Sequence, residues 1–115
     1  MDKKPTSESS RRIMAALRDI GPGEVSTYGE VARAAGLANG ARQVVRLLHS
    51  SAESENLPWH RILKKDGSIA LPKGGGFELQ KALLKSEGVK VDSAGRVDLA
   101  RFSHRFISVT KIVAD

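Results

Sequence analysis

The chain reads as a mainly helical domain with a small β-hairpin, in a winged helix-turn-helix-like arrangement. Three observations predict this. Two short amphipathic stretches, "YGEVARAAG" and "ARQVVRLLHS", are separated only by "LANG", a link tight enough for a helix-turn-helix. The second stretch sets Arg42, Arg46 and His49 at i, i+4 and i+7, on a face away from its apolar positions. Two short β-prone runs then flank Asp66-Gly67, a dipeptide that favours the type I′ hairpin turn.

The elements follow in order. The length of 115 residues suits one domain with a modest core. Residues 1–7 are polar and expected to be disordered, residues 8–106 form the domain, and residues 107–115 are a tail. From Glu8, the residues Ile13, Leu17 and Ile20 recur at helical spacing, with Ser7 or Ser9 available as a cap. "GPGE" stops that helix. Thr27 followed by Glu30 is a capping box, so the next helix starts near Tyr28. Val31, Ala32 and Ala35 form its buried face, and Gly36 ends it. Asn39 is placed to cap the third helix, whose inward positions are Ala41, Val44, Val45 and Leu48. After the hairpin, "PKGGG" is a loop. "FELQKALLKSEG" is an amphipathic helix with Phe77, Leu79, Leu83 and Leu84 apolar, ending at Gly88. The remainder holds one short strand or extended segment, and "ISVTKIVAD" is β-prone without an evident partner.

Nineteen Lys and Arg against thirteen Asp and Glu leave a net charge of +6. Such a balance suits a polyanionic partner, because each neutralised phosphate releases counterions. No apolar run approaches membrane-spanning length, and the opening "MDKKPTSESS" has no apolar segment behind its charges. No membrane partner and no secretory signal are therefore expected, and the default compartment is the cytoplasm or nucleoid. The chain has no cysteine, so disulfides, thiolate metal sites and cysteine nucleophiles are excluded.

Groups able to do chemistry are few. His60 stands between Trp59 and Arg61 in "LPWHRI", and Trp59 is the single tryptophan. The three histidines lie in distant segments without metal-ligand spacing. "KGGG" has no Gly-Lys-Ser/Thr sequel, so it is not a phosphate-binding P-loop, and no serine has the nucleophile-elbow context. No cofactor is implied. The residues alone indicate a small DNA-binding domain with an unusual aromatic at a turn.

Read together, "VSTYGEVA", "ARQVVRLL", "PWHRI" and "GGGFELQKALLKSEG" resemble, in order and spacing, the DNA-binding and active-site domain of the O6-alkylguanine-DNA alkyltransferases. Those enzymes carry Pro-Cys-His-Arg, whose cysteine takes the alkyl group from a flipped guanine. Trp59 stands at the cysteine position, which makes the chain similar to the alkyltransferase-like proteins that recognise O6-alkylguanine without repairing it. The chemistry agrees: alkyl transfer needs an activated thiolate, and an indole cannot supply one.

The resemblance implies a role for each matching position. Tyr28 matches the tyrosine that presses on a phosphate and assists nucleotide rotation. Arg42 matches the arginine that fills the gap left by the flipped base, a task suited to a planar guanidinium. Ala41 is small enough for close approach to the minor groove; Arg46, from its place on the helical stripe, and Ser51 at the end of that helix are counted with the DNA-binding residues. Trp59 becomes a wall of the lesion pocket. His60 and Glu87 match the His-water-Glu relay and, with no thiol to activate, belong to pocket structure, while Arg61 ties the loop down. Three positions depart from the family pattern. Val45 stands where a glycine is usual, Ser51 where an asparagine braces the turn, and Gly74 where a serine donates to the alkylated oxygen, leaving only backbone donors there.

The function so implied is a non-enzymatic sensor that flips O6-alkylguanine out of double-stranded DNA and flags it for nucleotide excision repair proteins, acting as a monomer. Two rival readings are a winged-helix regulator that reads undamaged sequence through Arg42, Arg46 and His49, and a residual alkyltransferase or lyase using His60 or a lysine.

Overall fold

The structure, a computed structural model, describes residues 7–106. Its elements run α1 (Glu8–Arg18), β1 (Ser26–Thr27), α2 (Tyr28–Ala34), α3 (Ala41–Ser51), a 3-10 turn (Trp59–Arg61), β2 (Ile62–Leu63), α4 (Phe77–Ser86) and α5 (Leu99–Phe102). The domain is thus mainly helical with a small sheet, as the patterning predicts. The segment "ISVTKIVAD" lies outside the described residues.

Local signals set the helix ends. The Ser7 side chain accepts from Ser10 N at 3.0 Å and starts α1. Thr27 accepts from Glu30 N at 3.2 Å and starts α2, while the Glu30 carboxylate turns outward to Arg33 at 3.1 Å. Gly36, at φ 81°, closes α2 in a Schellman motif: Leu37 N donates to Ala32 O at 2.8 Å and Gly36 N to Arg33 O at 2.9 Å. The cap of α3 falls one residue later than the Asn39 expected, on Gly40, and no side chain caps it. A Cβ at Gly40 would come within 2.7 Å of the Leu37 side chain, so close packing of the turn favours a glycine at that point over a capping side chain.

Two apolar clusters hold the domain. Ile13, Leu17, Ile20, Val31, Val44, Leu47, Leu57 and Ile62 belong to the first, which joins α1, α2 and α3. Val25, Leu63, Ile69, Leu84, Val89 and Val97 form the second, around α4. Each fully buried aliphatic side chain contributes about 1.5–3 kcal/mol. A sheet of two-residue strands has few hydrogen bonds to offer, so these clusters dominate the stability. Successive strand residues face opposite ways: Ile62 joins the first cluster and Leu63 the second. The chain leaving the Trp59–Arg61 turn therefore runs along the seam between them.

Three expectations are corrected. The strands form no hairpin: β2 pairs in parallel with β1, Ser26 opposite Ile62 and Thr27 opposite Leu63. A tight turn does occur at Asp66-Gly67, with Gly67 N bonded to Lys64 O at 2.8 Å and Lys64 N to Ser68 O at 2.9 Å. Beyond it, however, Ser68 bridges antiparallel to Arg96, because Ile69 is drawn into the second cluster beside Val97. Leu79 is 57% exposed, and the inward position of α4 is taken by Gln80, which is buried. On α3 the buried apolar residues are Val44 and Leu47, whereas Val45 and Leu48 are only partly covered. The extended segment expected near the end is supplemented by α5, capped by Asp98. His104 then fastens the chain to the end of α1, with Nδ1 2.9 Å from Glu24 Oε1 and Nε2 2.9 Å from Asp19 Oδ2.

Candidate nucleic-acid interface and base pocket

The face of α3 opposite the first cluster carries Arg42 and Arg46, both exposed and without an ion pair among the described residues. Ala41 begins the helix, and its uncapped first turn leaves backbone N–H groups without a side-chain acceptor. Unpaired guanidinium groups and free helix N–H groups both suit phosphate.

Beside this face lies a cavity of about 540 Å³, within the range of roughly 300–1,000 Å³ usual for small-molecule sites. Val45, Leu48, His49 and Ala52 line one wall at i, i+3, i+4 and i+7 along α3, and Tyr28 on α2 and Trp59 in the 3-10 turn supply its aromatic rings. Glu53, Asn56, Leu57, Leu71 and Gln80 complete the lining. Burial raises the Tyr28 hydroxyl above its usual ionisation range, so it is neutral and can donate. Among the described residues no set of three His, Asp or Glu side chains is arranged to hold a metal ion.

The Trp59 turn is fastened from behind. Pro58 precedes it, Trp59 N donates back to Leu57 O at 2.8 Å and Arg61 N to Pro58 O at 3.1 Å. Glu87 is the residue that caps the C-terminal end of α4. Gly88, at φ 88°, ends that helix as Gly36 ends α2, with Val89 N bonded to Leu84 O and Gly88 N to Lys85 O, both at 3.0 Å. The Glu87 carboxylate is thereby held where Arg61 grips it at 3.0 and 2.7 Å. His60 Nε2 lies 2.9 Å from Glu87 Oε2, and Gly23 N donates to Oε1 at 3.3 Å. The Arg61 guanidinium, aided by His60 and Gly23 against the cost of burial, brings the Glu87 pKa down to about 2. Arg61 Nη1 also reaches Ile20 O at 2.9 Å, anchoring the loop to the segment that follows α1.

The residues named from sequence thus separate into groups. Tyr28 and Trp59 meet at the cavity. His60 and Glu87 sit together but are not among its lining residues. Gly74 is exposed and does not line the cavity, and its N–H is taken by Glu78 Oε1 at 3.0 Å. Ser51, 3% exposed, is packed at the end of α3 with its hydroxyl 3.0 Å from that of Ser50, off the face that bears Arg42 and Arg46. Of the lining residues, sequence reasoning placed only Tyr28 and Trp59 at the pocket; it missed Ala52, Glu53, Asn56, Leu57, Leu71 and Gln80, and gave Val45, Leu48 and His49 other places. Gln80 alone left a signal, as a polar residue at the i+3 position between Phe77 and Leu84.

A helical domain that sets an exposed arginine face beside an apolar cavity has the build of a helix-turn-helix DNA-binding domain. The chain belongs to the family described as 6-O-methylguanine DNA methyltransferase, DNA binding domain, which it matches over residues 8–89. It is 38% identical over 91 residues to the DNA base-flipping protein of Vibrio parahaemolyticus, covering 79% of this chain and 90% of that one. Its identity to the DNA base-flipping protein of Escherichia coli is 38% over 103 residues, covering 88% and 79% of the two chains. Among solved structures it resembles Schizosaccharomyces pombe Atl1 in complex with damaged DNA containing O6-carboxymethylguanine, with a TM-score of 0.76, 31% identity, and coverage of 89% of this chain and 99% of the other.

Proposed function

We propose that this protein senses O6-alkylguanine in duplex DNA by turning the damaged nucleotide into the cavity between Tyr28 and Trp59, and that it does so without transferring the alkyl group. The observation that carries the reading is Trp59 itself. It forms a wall of the cavity at the position where the alkyltransferases hold their cysteine, in a chain with no cysteine. Relatives named DNA base-flipping proteins, and the likeness to Atl1 on damaged DNA, support it.

Tyr28 presses on the phosphate beside the lesion while its ring borders the cavity. Arg42 enters the duplex and fills the vacated place, and Ala41 lets the helix approach the minor groove. Arg46 and the first-turn N–H groups of α3 hold phosphates. Extrusion costs a few kcal/mol, and less where alkylation has already weakened pairing, so part of the selectivity arises before the pocket is reached. Trp59, Val45, Leu48 and Leu71 then offer an apolar surface to the alkyl group. His60, Arg61 and Glu87, with no thiol to activate, keep the Trp59 turn rigid. Ser51 braces the end of α3, and Gly74 supplies no side-chain donor to the alkylated oxygen. The protein acts as a monomer at the nucleoid in the cytoplasm, and the distorted complex is handed to nucleotide excision repair proteins.

The deciding experiment measures binding, at one salt concentration, to matched duplexes holding guanine or O6-methylguanine, with the methyl group radiolabelled. Tighter binding to the damaged duplex with no label on the protein is expected. Equal affinities would sink the sensor reading in favour of an ordinary DNA-binding regulator, and label on the protein would overturn the non-enzymatic one.

A further inference from the structure

The two kinds of cation are divided unevenly along the chain. Every lysine among the described residues, from Lys64 to Lys90, comes after the Trp59 turn, and none of them has an ion pair there. Lys81 and Lys85 stand one turn apart on the outer face of α4, and the Lys73 ammonium lies 5.9 Å from the centre of the Phe77 ring. Phe77, Glu78, Lys81, Ala82, Lys85 and Ser86 line an open groove of about 590 Å³ on that face. The Glu78 carboxylate is drawn back to Gly74 N at 3.0 Å, which leaves the Lys81–Lys85 end of the groove positive. Leu79, seven residues before Ser86 and so on the same side of the helix, lies at its edge. At 57% exposure it is the one large apolar side chain left to solvent among the described residues.

This face turns away from the base cavity. Ala82 follows Gln80 by two residues and so points to nearly the opposite side of α4; Gln80 lines the cavity and Ala82 lines the groove. Phosphates would be served by the lysines alone and would leave the Phe77 ring, Ala82 and Leu79 without a use. Cations set around apolar side chains suit a partner that brings carboxylates and apolar side chains together. We propose that the outer face of α4 is a docking site for an acidic amphipathic helix of a partner protein, with carboxylates on Lys81 and Lys85 and apolar side chains laid on Phe77 and Ala82. A contact of this size is weak and transient. It goes beyond the sensor reading and does not depend on it, because the groove stays open while α3 is on DNA.

The test uses the full chain, 15N-labelled, and two synthetic helical peptides of about 15 residues. Both carry leucines on one face; the other face carries glutamates in one peptide and lysines in the other. The glutamate peptide is expected to shift the amide signals of residues 77–86, with and without a bound O6-methylguanine duplex, and the lysine peptide to leave them in place. Lys81→Glu/Lys85→Glu should weaken the glutamate peptide about tenfold or more. Its affinity for the duplex should change less than about twofold at physiological salt, where charges beyond a Debye length are screened. Should the double variant fail to fold, the shift map of the wild type decides alone. Shifts centred on Arg42 and Arg46, or displacement of the peptide by the duplex, overturn the proposal, since the peptide then only imitates DNA. A parallel loss of peptide and duplex affinity in the variant overturns it by giving α4 to phosphate. Equal binding of the lysine peptide, or no shift at α4, also overturns it. Self-association through α4 that the variant abolishes assigns the face to a second copy of the chain instead.

Discussion

Arg61 grips Glu87 through two parallel hydrogen bonds, Nε to Oε1 at 3.0 Å and Nη2 to Oε2 at 2.7 Å. The third nitrogen of the same guanidinium reaches Ile20 O. One side chain therefore ties the Trp59 turn both to the end of α4 and to the segment that follows α1. Bidentate, largely buried pairs of this kind are worth far more than exposed ones.

Breaking the pair should be felt in stability and in its pH dependence. The Glu87 pKa is lowered from 4.5 to about 2 by the Arg61 guanidinium, so folding favours the carboxylate. Its contribution is complete above the unfolded pKa and is lost as pH falls through the folded one, between about pH 5 and pH 2. Glu87→Gln should cost about 2–4 kcal/mol near neutrality and flatten the acid limb of the stability profile. Urea denaturation from pH 7 down to pH 2 measures both, and an unchanged acid slope in the variant would assign that limb to other groups.

The two arginines on α3 should separate. Arg42→Ala should lower the preference for damaged over undamaged duplex by about tenfold or more, as loss of a residue engaged at the lesion would. Arg46→Ala should weaken both duplexes alike and reduce the salt slope by about one. Both side chains are exposed and unpaired among the described residues, so neither change should alter stability by more than about 0.5 kcal/mol. Fluorescence anisotropy across a salt series distinguishes the two patterns.

Tyr28→Ala should abolish extrusion while DNA binding through α3 persists. A 2-aminopurine placed at or beside the lesion brightens as it unstacks, and the variant should lose that rise. Tyr28 also packs against the first apolar cluster, so a melting curve must accompany the assay. A folded variant with full fluorescence gain would remove Tyr28 from the mechanism.

Trp59→Cys should not restore full repair. The thiol would sit beside His60, but His60 Nε2 is engaged by the Glu87 carboxylate, which Arg61 also holds. Gly74 offers no side-chain donor, and its N–H is engaged by Glu78, so the alkylated oxygen would gain no help in leaving. Single-turnover methyl transfer from a labelled duplex should be slow and incomplete; rapid, complete demethylation contradicts this account of the pocket.

Local signals carried much of the fold into view. Ser7, Thr27, Gly36 and Gly88 mark helix ends through bonds that span only a few residues, and such bonds form wherever the right side chain meets the right backbone. The arginine stripe and the Trp59 substitution were equally plain, since one needs only helical spacing and the other only the loss of a nucleophile. The tertiary structure decided the rest. Nothing within a segment says that β2 pairs with β1 rather than with its own sequel, or that Ser68 turns to Arg96. Val45 and Leu48 carry the same apolar signature as Val44 and Leu47, yet both are only partly covered and line a cavity, Leu48 while also packing against the first cluster. Periodicity reports which way a side chain points; whether another segment fills the space before it depends on contacts between residues far apart in the chain. Here Tyr28, Trp59, Leu71 and Gln80 approach α3 without closing against it, and that gap is the candidate site.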